Sequence, residues 1–150
     1  DYYASRGLGD VYKRQGNADP TALQVAVSAS LAAERVGMPE AQIILAQAAA
    51  YIACAPKSNA AVNAIASAMK TVEETGNLAI PVHLQDAHYK GSAKLGHGIG
   101  YKYAHDYPNH YVKQQYLPDG LTDRMFYHPS ENGYEKTIRE YFEKIKGMQP

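Results

Sequence analysis

The pattern of apolar residues changes character halfway along the chain, and this change restricts the fold more than any single motif does. Between Asp19 and Gly76 apolar residues recur at helical spacing, bounded by residues that cap or break helices. From Asn77 to Glu131 the periodicity is lost, Gly, Pro, Tyr and His accumulate, and all six histidines lie between Ile80 and Ser130. Helical spacing returns at the end. The texture is that of a mainly α chain: a helical core over 19–76, an irregular Tyr/His/Gly-rich arm over 77–131 and a C-terminal helix over 132–146.

Local signals place the helices. Asp19 is suited to cap a helix whose first residue is Pro20, because proline lacks the N–H that would stand unpaired there, and Gly37 supplies a left-handed stop. Leu23, Val27 and Leu31 form its apolar stripe. Pro39 opens a second helix, with Ile44, Leu45, Ala48, Tyr51, Ile52 and Ala55 expected inward until Pro56 ends it. Ser58 is the expected cap of a third, in which Val62, Ile65, Met69 and Val72 recur before Gly76. Three antiparallel helices with short connections predict a small bundle. Asn132 is the expected cap of the last helix, with Tyr134, Ile138, Tyr141, Phe142 and Ile145 on one face and Glu135 paired with Arg139 on the other. The aromatic arm cannot pack on itself, so it is expected to lie over the helical core or over a neighbouring subunit.

Composition narrows the function classes. A chain of 150 residues is long enough to bury one core. Its formal net charge is zero and its sequence pI is about 7.2, which argues against autonomous tight binding of nucleic acid. The single cysteine, Cys54, precludes an intrachain disulfide and reads as a buried, inert thiol. No apolar run reaches membrane-spanning length and no secretory signal opens the chain, so a reducing cytoplasm is the expected compartment.

Few residues offer chemistry. No Gly-x-x-x-x-Gly-Lys-Ser/Thr loop is present, so the sequence carries no phosphate loop for ATP. Gly96-His97-Gly98-Ile99-Gly100 imitates a dinucleotide loop, but it neither follows a strand pattern nor opens a helix, and a flexible turn is the better reading. His83 with His88, or His105 with His110, could meet a metal alongside Asp86 or Asp106, although the five-residue spacing does not put two ligands on one helical face. These rings are expected instead to bond loop carbonyls and to stack on tyrosines. Tyr89-Lys90 and Tyr101-Lys102-Tyr103 interleave aromatic faces with cations, a pattern that suits either anchors for protein contact or base stacking on single strands. At Lys57-Ser58-Asn59 the serine is a cap rather than a nucleophile, having no base or oxyanion hole specified, and Lys57 is left to meet a partner.

Four runs give the chain a relationship: Gly16-Asn17-Ala18-Asp19-Pro20, Ala55-Pro56-Lys57-Ser58-Asn59, His83-Leu84-Gln85-Asp86-Ala87-His88-Tyr89-Lys90-Gly91 and Gly100-Tyr101-Lys102-Tyr103-Ala104-His105-Asp106. Together they resemble the C-terminal domain of the replication-associated recombination protein A family, bacterial AAA+ ATPases related to clamp loaders and to the eukaryotic Werner helicase-interacting protein. The resemblance runs from Gly16 to Ile145. It implies an all-α fold like the collar of clamp-loader subunits, self-assembly into a homotetramer, and no catalytic residue or cofactor here, ATP and Mg belonging to an upstream ATPase module. It further implies a cytoplasmic, nucleoid-associated parent that acts at stalled forks, responds to DNA ends and single-stranded gaps, and partners single-stranded DNA-binding protein.

The candidate interface or DNA contacts are Lys57, His83, His88, Tyr89, Lys90, Tyr101, Lys102, Tyr103 and His105. A metal-dependent hydrolase on the histidine arm is the remotest alternative. Departures from the family pattern are Gln85 for a common arginine, Ala104 for a common proline, and Asn109-His110 for a common glycine pair. Residues 1–15, with the run Gly7 to Gln15, have no family counterpart and read as a non-native or disordered leader.

Overall fold

The computed structural model describes residues 14–86 and 92–147. Two compact units divide the chain: Asp1–Ser67 with Phe126–Phe142, and Ala68–Met125 with Glu143–Pro150. Among the described residues the regular elements are helical, with α1 (Thr21–Val36), α2 (Ala41–Cys54), α3 (Ala60–Thr75) and α4 (Tyr134–Gly147), and no strand. The all-α expectation holds.

Capping chemistry sets three of the four helices as expected. Asp19 Oδ1 accepts the Thr21 N–H at 2.9 Å, and α1 stops at Gly37, whose φ of 77° lets its N–H reach the Ala33 carbonyl. Ser58 Oγ accepts the Ala60 N–H at 3.1 Å to start α3, and Gly76, at φ 66°, closes it on the Val72 carbonyl. Ala55 turns extended ahead of Pro56 and ends α2. Asn132 differs from expectation: its Nδ2 donates to the Lys57 carbonyl at 3.0 Å rather than capping α4.

In the first unit α1 and α2 form a hairpin across the short Gly37–Glu40 turn, with Tyr51, near the end of α2, beside Asp19, just before α1. The buried face is made of alanines. Ala22 and Ala29 of α1 and Ala41 and Ala48 of α2 are buried, whereas Leu23, Val27, Leu31 and Leu45 stay exposed. Val62, Ile65, Met69 and Val72 of α3 are exposed too, with Ile65 at 60%. The expectation that these stripes face inward is therefore corrected. On α1 and α2 it is the alanine face that is buried, since small side chains allow neighbouring helices to approach closely. On α2 the expected face is split, Ala48 and Ala55 being buried, Ile44 and Ile52 half-buried, and Leu45 and Tyr51 exposed. The helix α3 begins in the first unit and continues into the second.

Two further expectations change. Cys54 is exposed, on the last turn of α2. The leader boundary at residue 15 fails at its inner end: Gln15 is buried, its Nε2 donating to the Ile52 carbonyl at 3.0 Å, and the Ser58 N–H donates to the Arg14 carbonyl. Asp1 to Lys13 lie outside the described residues. Gln15→Ala is expected to cost on the order of 1 kcal/mol in urea unfolding, since the part-buried Ile52 carbonyl loses its side-chain donor.

The arm is irregular, as expected, and side chains do the work that a ladder would otherwise do. Short 3-10 turns cover Val82–Leu84, Ser92–Leu95, Ala104–Asp106 and Pro108–His110. Gln114 bonds both backbone groups of Lys102, accepting its N–H at 3.1 Å and donating to its carbonyl at 2.9 Å. Gly96, Gly98 and Gly100 all take positive φ, consistent with a turn and not a dinucleotide loop. Asn109 and His110 also have positive φ, 55° and 51°, so the position where the family resemblance implies glycines keeps a glycine-like backbone.

Candidate interaction surface

The most heavily bonded polar group of the first unit is Glu135, in the first turn of α4, where a negative charge also suits the helix N-terminus. Its side chain is fully buried. Oε2 accepts the Ser58 hydroxyl at 2.7 Å and the Ser130 N–H at 2.7 Å, and Oε1 accepts the Tyr127 hydroxyl at 2.9 Å. Tyr127 in turn accepts Asn17 Nδ2 at 3.0 Å. Burial alone would push the Glu135 carboxyl up, but the bonds from Ser58, Ser130 and Tyr127 outweigh it and hold the group below its ordinary value. Tyr127 is pushed the other way, by burial first and by the adjacent carboxylate, with Asn17 opposing.

This network ties the Gly16-Asn17 run, the corner before α3 and the start of α4 into one structural knot. It offers no nucleophile. Ser58 spends its proton on Glu135 and its lone pair on the Ala60 N–H. The sequence pairing of Glu135 with Arg139 does not form either; Arg139 pairs with Glu131.

Lys57 was expected to be free for a partner. Instead Nζ donates to the Ala53 and Ala55 carbonyls, both at 3.0 Å, closing the end of α2. In the second unit, His83 Nε2 lies 2.8 Å from the Gln115 carbonyl, and Gln85 Nε2 donates to the Ile80 carbonyl at 2.7 Å. Both are internal braces. His88, Tyr89 and Lys90 lie outside the described residues. Tyr101, Lys102, Tyr103 and His105 remain on the surface, with Tyr101 at 49% and Tyr103 at 54% exposure. The Gln114 clamp holds the Lys102 backbone between the two tyrosines. His105 packs on Tyr103 with ring centroids 5.0 Å apart.

The residues that sequence reasoning placed inside form the larger surface feature. On α3, Val62, Ile65, Met69 and Val72 follow one another at steps of three, four and three, the spacing of a helix-pairing seam. Beside it lie Ala66 and Ala68, small enough to let a second helix approach. Among the described residues no three metal-ligating side chains converge, and no helix is long and apolar enough to cross a membrane.

Residues 11–146 match the family described as the MgsA AAA+ ATPase C terminal. The chain belongs to that family. It is 45% identical over 133 residues to an AAA domain-containing protein of Mycobacterium tuberculosis, covering 89% of this chain and 29% of the relative. Replication-associated recombination protein A of Bacillus subtilis is 43% identical over 143 residues, 95% of this chain and 34% of that protein. The Escherichia coli K12 protein of the same name is 40% identical over 140 residues, 93% of this chain and 31% of the relative. The chain thus spans about a third of the length of these relatives. The matched span begins at residue 11 and so takes in the buried Gln15.

Proposed function

We propose that this domain is a non-catalytic self-association module of an AAA+ ATPase that acts in DNA replication, recombination and repair, and that it assembles the parent protein into a homotetramer. The observation that carries the reading is the α3 seam: four large apolar side chains at pairing spacing, all exposed, in a chain whose buried apolar residues are mostly alanine. Burying such a seam is worth about 25 cal/mol per Å² of apolar surface, and a second copy presents the same seam for isologous pairing. Relatives named for replication-associated recombination supply the parent context. In that context ATP and Mg are handled by a module outside this chain, in the cytoplasm, with DNA and single-stranded DNA-binding protein as partners of the whole protein.

Analytical ultracentrifugation tests it. The double change Ile65→Ser and Met69→Ser is expected to convert the assembly to a monomer at the same concentration. Protomer stability should fall by less than about 1 kcal/mol, because both side chains are already wet in the monomer. A wild-type chain that stays monomeric at high concentration, or a variant that melts instead of dissociating, defeats the reading.

The exposed Tyr101-Lys102-Tyr103 segment favours a second reading, contact with single-stranded DNA by stacking and phosphate neutralisation. Binding of an oligothymidine at low salt that is lost in Tyr101→Ala/Tyr103→Ala, with the assembly intact, would establish it. Absence of binding at low salt would end it.

A further inference from the structure

The arm brings two histidines into ring contact without using either for a hydrogen bond. His105 and His110 sit in consecutive 3-10 turns, Ala104–Asp106 and Pro108–His110, and the left-handed backbone at Asn109 and His110 folds the second turn back on the first. Their ring centroids are 4.9 Å apart with planes inclined by 54°, and both residues are exposed. His105 also packs against Tyr103, with ring centroids 5.0 Å apart. His83 differs: its Nε2 is committed to the Gln115 carbonyl.

We propose that His105 and His110 form a two-histidine site for a divalent first-row transition ion, with water or another exchangeable donor in the remaining positions. Imidazole nitrogens bind such ions at about 2.0–2.1 Å, which puts each ring centroid about 3.2 Å from the metal. Two rings sharing one ion at an angle of about 100–110° then have centroids about 5 Å apart. The observed centroid separation of 4.9 Å matches that distance. Neutral imidazole is a good ligand for copper, nickel and zinc, with copper(II) bound most tightly of the three. With no third carboxylate, thiolate or imidazole converging among the described residues, the site keeps open positions and exchanges its metal readily.

Titration of tag-free, chelator-treated chain with nickel(II), followed by calorimetry, tests the assignment. His105→Ala and His110→Ala should each weaken binding at least tenfold and by similar factors, while His128→Ala leaves it unchanged. Circular dichroism should show the same helical content for all four proteins, both rings being on the surface. With copper(II), electron paramagnetic resonance should show hyperfine structure from two nitrogens that is lost in either variant. Binding that is absent in the wild type, or that is unaffected by removing either ring, or that depends on His128 alone, overturns the proposal.

Discussion

Glu135→Ala is expected to destabilise the protein by about 3–5 kcal/mol, because it strands three donors that have no other acceptor in a buried knot. The Ser58 hydroxyl, the Ser130 N–H and the Tyr127 hydroxyl all converge on this carboxylate. In urea the midpoint should shift while the slope stays constant. Glu135→Gln is the informative companion: it keeps the shape, but it turns a donor toward donors. Acidification supplies a second test. Since the folded Glu135 lies below its ordinary value of 4.5, its contribution is fully present above that pH and is lost as pH falls through the folded value. Wild type should therefore lose stability on acidification and converge toward Glu135→Gln. Tyr127 acts at the other extreme. Raised above its ordinary 10.0, it contributes below that pH, and the contribution is lost as pH rises through the folded value. A gap between wild type and Glu135→Gln that stays constant down to strongly acid pH would show that the carboxylate is not bound as described.

The knot also shows what the sequence could and could not convey. Ser58 was legible as a cap from its place ahead of an apolar run, and the structure keeps it there. Its second bond, to a residue 77 positions away, has no local signal at all. Glu135 looked like the exposed half of an i,i+4 pair, because periodicity puts it opposite the aromatic stripe. What decides its burial is the loop that wraps α4's first turn, and loop paths are not periodic.

The same limit explains the inverted helices. Period 3.6 identifies α1 and α3 correctly, but it cannot choose between an alanine stripe and a Leu/Val/Ile stripe when both are apolar. Packing distance makes the choice, and large residues that lose become surface available for assembly. In the arm, the expectation that histidines bond carbonyls and stack on tyrosines came from composition, and it holds at His83 and His105. The Gln114 clamp on Lys102 was invisible, since a glutamine twelve residues away carries no mark of its partner.

Gly133→Ala is expected to cost about 3–5 kcal/mol, combining an overpacked contact with a left-handed backbone. The glycine has φ 53°, and a Cβ there would collide with the Ala18 carbonyl oxygen and lie 2.7 Å from Pro56 Cγ. Neither neighbour can give way cheaply. Ala18 is buried backbone, and Pro56 is a ring that also ends α2. For a chain of this length such a loss lowers the thermal midpoint by roughly 10 °C or more. Two other glycines separate the causes. Gly76 has φ 66° with nothing within 4 Å, so Gly76→Ala should lose only the conformational part, about 1–2 kcal/mol. Gly147 has neither positive φ nor a close neighbour, and Gly147→Ala should be neutral or slightly stabilising. If thermal melts place Gly133→Ala beside Gly76→Ala, the close approach of α4's entry loop to the Ala18 carbonyl is wrong. If all three are equal, the backbone argument fails as well. The ordering expected, Gly133 well below Gly76 and Gly76 below Gly147, follows from the loop that brings Glu135 to Ser58 passing too near Ala18 to admit any side chain.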